Sequence, residues 1–181
     1  MKTLALFRHA KSDWSDAHAR DFDRPLNGRG IRGAAAMGAH IGALARQFDR
    51  IIASPAVRVA ETIEIASQHW DSAVAVEWDR RIYLASSAML ADVVRDMPDQ
   101  TAALMMVGHN PGLEDLIFDL VPQTPACPLR AMVEAKFPTA TFALLECAID
   151  RWADLDPGCA RLIALTRPRD LDPTLGPELL D

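Results

Sequence analysis

The sequence predicts an α/β fold: a three-layer α/β/α sandwich around a mostly parallel sheet. Short apolar runs at 4–7, 51–53 and 102–107 read as buried strands. Each is followed, after a turn or loop, by a stretch whose apolar residues recur at helical spacing. That alternation is the pattern of parallel strands joined by helical crossovers. Each run also stops at a polar or glycine-containing step: Arg8-His9, Ser54-Pro55 and Gly108-His109.

In chain order, the first strand gives way to a polar stretch, 13–24, with no period, which reads as a loop. After the turn at Pro25, Asn27 is placed to cap a helix over 29–48, whose apolar positions Ile31, Ala35, Met37, Ile41, Leu44, Ala45 and Phe48 roughly follow helical spacing. Gly30, Gly33, Gly38 and Gly42 within it suggest close backbone packing on a sheet, or a helix of modest intrinsic stability. The second strand ends at Ser54-Pro55, a favoured N-cap and first-turn pair. A helix over 55–69 is expected there, with Val57, Ala60, Ile63, Ile65 and Ala66 inward and Glu61 bracing Arg58. A short strand is expected over 72–78 and irregular structure over 79–84.

Ser86 or Ser87 can cap a helix over 88–97, closed by Pro98. The strand at 102–107 leads to Asn110-Pro111, read as N-cap and first helical residue of a helix to about residue 120. The proline-dense 122–128 segment is a loop. Strands over 139–147 and 161–166 flank the Asp156-Pro157-Gly158 turn and are expected to pair antiparallel. These elements make one domain, 1–166. The 167–181 segment, with Pro168, Pro173 and Pro177, reads as an extended surface tail.

Composition narrows the function. Of 181 residues, half are hydrophobic and 24% charged, which fits a folded globule and not a disordered chain. The net charge of −6 argues against nucleic acid or an anionic membrane as a partner. Cys127, Cys147 and Cys159 are odd in number and widely spaced, which suits reduced thiols. The first apolar run breaks at Arg8, too short for a signal-peptide core, and no later stretch reaches membrane-spanning length. The expected location is the cytoplasm. His18, His40 and His69 have no partner at metal-ligand spacing, so no metal or other cofactor is expected.

In parallel α/β sheets ligands bind beyond the carboxyl ends of the strands. If the first three strands are neighbours, Arg8, His9, Arg58 and His109 converge at one edge, next to two helix N-termini. Two guanidiniums can hold the oxygens of a phosphoryl group and neutralise its charge during transfer. A neutral imidazole can attack phosphorus when its other nitrogen is held by a hydrogen bond, and a second can donate to an equatorial oxygen. Ser12, Arg24 and Asn110 are further candidates for substrate binding; for Arg24 a structural pairing with Asp21 or Asp23 is the favoured reading.

The segments Arg8-His9-Ala10-Lys11-Ser12, Asp23-Arg24-Pro25-Leu26-Asn27-Gly28-Arg29-Gly30, Ser54-Pro55-Ala56-Val57-Arg58-Val59-Ala60-Glu61-Thr62 and Gly108-His109-Asn110-Pro111-Gly112 together resemble the histidine phosphatase superfamily, the phosphoglycerate-mutase-like fold. Within it the chain is most similar to the small SixA-type phosphohistidine phosphatases. The resemblance implies that His9 is the phosphorylated nucleophile, Arg8 and Arg58 the phosphate clamps and His109 the second histidine. Larger relatives carry an acidic residue for the leaving group after the strand that follows the Arg58 helix. Here that region reads Arg80-Arg81-Ile82-Tyr83-Leu84-Ala85, without a carboxylate, leaving Asp13, Asp16 or Asp23 as possible substitutes. A phosphohistidine-bearing protein, such as a phosphotransfer domain, is therefore the expected substrate. The alternatives are a small phosphorylated molecule, or phosphate binding without turnover.

Overall fold

The computed structural model describes residues 1–44, 46–70, 74–124 and 127–176. Ala45, Ser72 and the last five residues of the tail, which figured in the sequence reading, lie outside the described residues. Six strands form one sheet: β1 (Lys2–Arg8), β2 (Arg50–Ala53), β3 (Val76–Trp78), β4 (Ala103–Gly108), β5 (Phe142–Cys147) and β6 (Ala160–Thr166). Their order is β3-β2-β4-β1-β5-β6. The pairs β1–β4, β4–β2 and β2–β3 are parallel, whereas β5 is antiparallel to both β1 and β6. Only β5 thus runs against the rest, and the sheet is mostly parallel as expected.

Side chains alternate across the pleat and divide the core in two. Leu4, Leu6, Ile52, Leu104, Met106 and Leu145 face one side, where α3 (Ser87–Arg95), α4 (Gly112–Leu120) and α5 (Pro128–Ala135) cover them. Ala5, Phe7, Ile51, Ala53, Met105, Val107 and Phe142 face the other, under α1 (Gly28–Ala43) and α2 (Val57–Ser67). Continuous apolar runs were needed because these strands are buried on both faces. The result is the three-layer sandwich.

Several boundaries differ from the sequence reading. Asn27 does cap α1, accepting from Gly30 N at 2.8 Å, but α1 ends at Ala43, not residue 48. Its glycines do not pack on the sheet: at Gly38 an added Cβ would collide with the Ala66 backbone of α2, and at Gly30 with that of Lys11. Ser54 is not a cap, since α2 starts at Val57 after Ala56. The inner face is Arg58, Val59, Thr62, Ile63 and Ala66, and Val57, Ala60 and Ile65 are only partly buried. Asn110 likewise does not cap α4, which follows Pro111. The expected extended tail instead begins as a short helix, α6 (Pro168–Leu171), with Pro168 and Leu175 buried. No helix among the described residues is long and apolar enough to cross a membrane.

Candidate active site

The site stands at the carboxyl ends of β1, β2 and β4, held by a hydrogen-bond ladder that continues past the strands. His9 N donates to Gly108 O at 3.1 Å, and Ser54 N donates to Val107 O at 3.1 Å. His9, Ser54 and His109 are therefore held in register by the backbone itself. The His9 and His109 rings lie 5.1 Å apart, tilted by 56°. Arg58, in the first turn of α2, joins them.

Three contacts define the histidines. His9 Nδ1 is 2.7 Å from Ala10 O; a carbonyl only accepts, so Nδ1 carries the proton and Nε2 keeps its lone pair. Arg58 Nε donates to that Nε2 at 3.3 Å. Arg58 Nη2 also approaches His109 Nδ1 at 3.2 Å. A guanidinium has no acceptor, so His109 Nδ1 is unprotonated and Nε2–H donates to Ser54 Oγ at 2.8 Å. The two rings are thus opposite tautomers. Burial pushes each imidazole from 6.5 down to about 3. At His9 the bond to Ala10 O opposes this while Arg58 and Arg8 add to it. At His109 the His9 ring and Arg58 add to it. Both are neutral at physiological pH.

Arg58 is buried, with 4% exposure, and is anchored from three directions. Its Nη1 donates to Asp21 O at 2.5 Å and its Nη2 to Asp21 Oδ2 at 3.0 Å. Its own carbonyl accepts from Thr62 Oγ1 at 2.6 Å, and that oxygen accepts in turn from Ala10 N at 2.9 Å. Glu61, expected to brace Arg58, turns away instead and accepts from Leu26 N at 2.6 Å. Arg8 Nη1 donates to Phe137 O at 2.6 Å, and Arg8 lines the same pocket as His9, Arg58 and His109.

Ser12 and Asn110 also line that pocket. Asn110 donates to Glu114 Oε2 at 2.5 Å and to Phe137 O at 3.2 Å. Arg24 is not among the lining residues. It stacks over the Trp14 ring at 4.0 Å and stands 3.9 Å from Asp21 Oδ1.

The acid that reaches the site is Asp21, not Asp13, Asp16 or Asp23. Its Oδ2 accepts from Tyr83 OH at 2.7 Å. The Tyr83 ring stands edge-on to His109 at 5.4 Å and to Phe22 at 5.1 Å. Partial burial raises the Asp21 carboxyl, but the Tyr83 hydroxyl and the Arg58 guanidinium outweigh it and hold the group below its usual range. Asp21 and Tyr83 were missed because they are 62 positions apart in aperiodic segments. Among the described residues, no three His, Cys, Asp or Glu side chains stand close enough to hold a metal ion.

The family model of the histidine phosphatase superfamily (branch 1) matches residues 4–82, which carry Arg8, His9 and Arg58. The uncharacterized protein Rv1276c of Mycobacterium tuberculosis is 34% identical over 164 residues, covering 90% of this chain and 99% of that protein. This chain belongs to the histidine phosphatase superfamily. A structure assigned as phosphohistidine phosphatase SixA from Nakamurella multipartitia superposes with a TM-score of 0.80 at 26% identity, covering 92% of this chain and 96% of that one. Its counterpart from Agrobacterium tumefaciens gives 0.77 at 26% identity, covering 92% and 98%. The phosphoglycerate-mutase-like fold of these neighbours is the one described above.

Proposed function

We propose that this member of the superfamily is a phosphohistidine protein phosphatase that works through a covalent phosphohistidine on His9. The observation that carries the reading is the Nδ1–H tautomer of His9. It leaves Nε2 unprotonated, its lone pair accepting from Arg58 Nε, in a pocket lined by Arg8 and Arg58. In the first step His9 Nε2 forms a bond to phosphorus. The bond from phosphorus to the substrate's imidazole nitrogen breaks, and its electron pair stays with that nitrogen. In the second step a water oxygen attacks phosphorus. The N–P pair returns to His9 Nε2, and the water's protons end on phosphate and solvent. Arg8 and Arg58 neutralise charge on the transferring oxygens in both steps without needing a metal ion.

The choice of phosphohistidine rests on the leaving group. An alkoxide needs a proton from an acid, and the carboxylate nearest the site, Asp21, is held ionised by Tyr83 and Arg58. An imidazole leaves as a neutral or protonated ring and needs less help. Similarity to two structures assigned as phosphohistidine phosphatase SixA supports the same substrate class.

A brief pulse of phosphoramidate without added metal, followed by acid-free mass spectrometry, tests the reading. An acid-labile, base-stable phosphoryl group on His9 is expected, with sugar phosphates turned over far more slowly. Undiminished hydrolysis by His9→Ala, or a faster reaction with sugar phosphates, overturns it.

A further inference from the structure

Beside the catalytic pocket lies a second, narrower cleft lined by Lys11, Arg29, Lys136 and Arg169, with Gly30, Pro138 and Ala140 among its walls. Lys11 and Thr139 line both cavities, so the two are contiguous. Among the described residues, no carboxylate lines the cleft. We propose that it is a docking site for acidic side chains flanking the phosphohistidine of a protein substrate, an inference that rests on the function proposed above.

The charge pattern carries this. Elsewhere many surface arginines are neutralised locally: Arg20 with Asp23, Arg50 with Glu77, Arg95 with Asp92, Arg151 with Asp154, Arg161 with Glu146 and Arg167 with Asp170; Arg32, Arg46 and Arg80 stand without a carboxylate too, but scattered and not grouped in one cleft. Among the described residues, none of the four cleft cations has such a partner. Asp170, next to Arg169 in sequence, gives its carboxylate to Arg167. Arg29 is tied only to a backbone oxygen, donating to Leu175 O at 2.9 Å. In a chain of net charge −6, four unpaired cations against the catalytic pocket make a local positive field that draws in anions.

Size and arrangement favour a peptide. The cleft holds ≈ 70 Å³ against ≈ 310 Å³ for the catalytic pocket, room for a side-chain head and not for a second sugar or nucleotide. Its cations come from four separate segments: the turn after β1, the first turn of α1, the end of α5, and α6. Lys11 and Lys136 are exposed. Such a spread meets carboxylates distributed along a peptide, whereas a single compact anion calls for guanidinium forks converging on one point.

The test uses two phosphohistidine peptides, one flanked by glutamates and one by glutamines, with phosphoramidate as the small reference substrate. Wild type should prefer the Glu-flanked peptide in kcat/KM by about tenfold at low salt, a preference that shrinks as screening rises. The double variant Lys136→Glu/Arg169→Glu should lose or invert that preference while its phosphoramidate turnover is unchanged. Lys136→Gln/Arg169→Gln serves if the charge reversal impairs folding. Equal turnover of the two peptides by wild type overturns the docking site and leaves the proposed activity standing. So does a preference that survives in both double variants. Failure of wild type to hydrolyse phosphoramidate or either peptide overturns the activity, and the docking site with it.

Discussion

Arg58 donates through Nη2 to Nδ1 of His109 at 3.2 Å, and a guanidinium has only protons to give. His109 therefore meets the pocket with a lone pair, while its proton sits on Nε2 against Ser54. To donate to a phosphoryl oxygen, His109 must either gain a proton at Nδ1 or exchange tautomers. Ser54 permits both, since a hydroxyl accepts from Nε2–H in one state and donates to bare Nε2 in the other.

Opposite tautomers at His9 and His109 are directly observable. Long-range 1H–15N spectra at pH 7 should show His9 protonated at Nδ1 and His109 at Nε2. Adding vanadate or phosphate should move the His109 signals toward Nδ1 protonation and leave the His9 Nδ1 proton on the Ala10 oxygen. A His109 already protonated at Nδ1 without ligand contradicts the Arg58 contact.

Ser54→Ala removes the partner of His109 Nε2 at a fully buried position. Support of this kind orients a working imidazole, and its loss is expected to lower kcat by about tenfold with a smaller change in KM. Steady-state kinetics with phosphoramidate decides; an unchanged kcat removes Ser54 from any positioning role.

Two buried neutral histidines make stability depend on pH in a fixed direction. His9 and His109 titrate at about 3 in the folded chain, below the ordinary value of 6.5. Between those values the unfolded chain binds more protons than the folded one, so stability falls as pH falls from 6.5 toward 3. The loss by pH 5 is roughly 1–2 kcal/mol per histidine. Urea melts at pH 7 and pH 5 should show it, and His9→Gln together with His109→Gln should flatten that part of the profile. A wild-type midpoint unchanged over this range refutes the burial argument.

Asp21 is an anion lining the pocket proposed to bind phosphate, and its carboxylate already holds Arg58 Nη2, so under that proposal it competes with the ligand. Removing its charge while keeping its shape should strengthen the hold on phosphate. For Asp21→Asn, the inhibition constant of inorganic phosphate is expected to fall by about fivefold, the size of a partly screened charge contact. Weaker phosphate inhibition shows instead that Asp21 acts chiefly by orienting Arg58.

Much of the site was legible because its residues sit where strands end. Apolar runs buried on both faces announce β1, β2 and β4, and parallel pairing then brings Arg8, His9, Arg58 and His109 together without further information. Two cap-like dipeptides misled for one reason: Ser54-Pro55 and Asn110-Pro111 have the chemistry of helix starts, but here their side chains serve His109, Glu114 and Phe137 O. The buried face of α2 is offset by about one residue from the expected one, which sequence spacing alone does not resolve. Asp21 and Tyr83 were invisible because their contact joins two aperiodic segments, and no local pattern records a long-range hydrogen bond.

The glycines of α1 make the last case, since they behave differently along one helix. Gly38 lies where α1 presses on α2, and an added Cβ would overlap the carbonyl and Cα of Ala66. Backbone cannot yield as a side-chain end does, so Gly38→Ala must push α1 and α2 apart. The expected cost is about 2 to 3 kcal/mol, seen as a thermal midpoint roughly 5–10 °C lower. Gly33 is the control. A Cβ there meets only Ala140 Cβ at 3.6 Å, ordinary contact, so Gly33→Ala should gain the usual helix preference of about 0.5–1 kcal/mol. Melting curves of the two variants should therefore move in opposite directions. If both move the same way, close packing of α1 on α2 is not what those glycines are for.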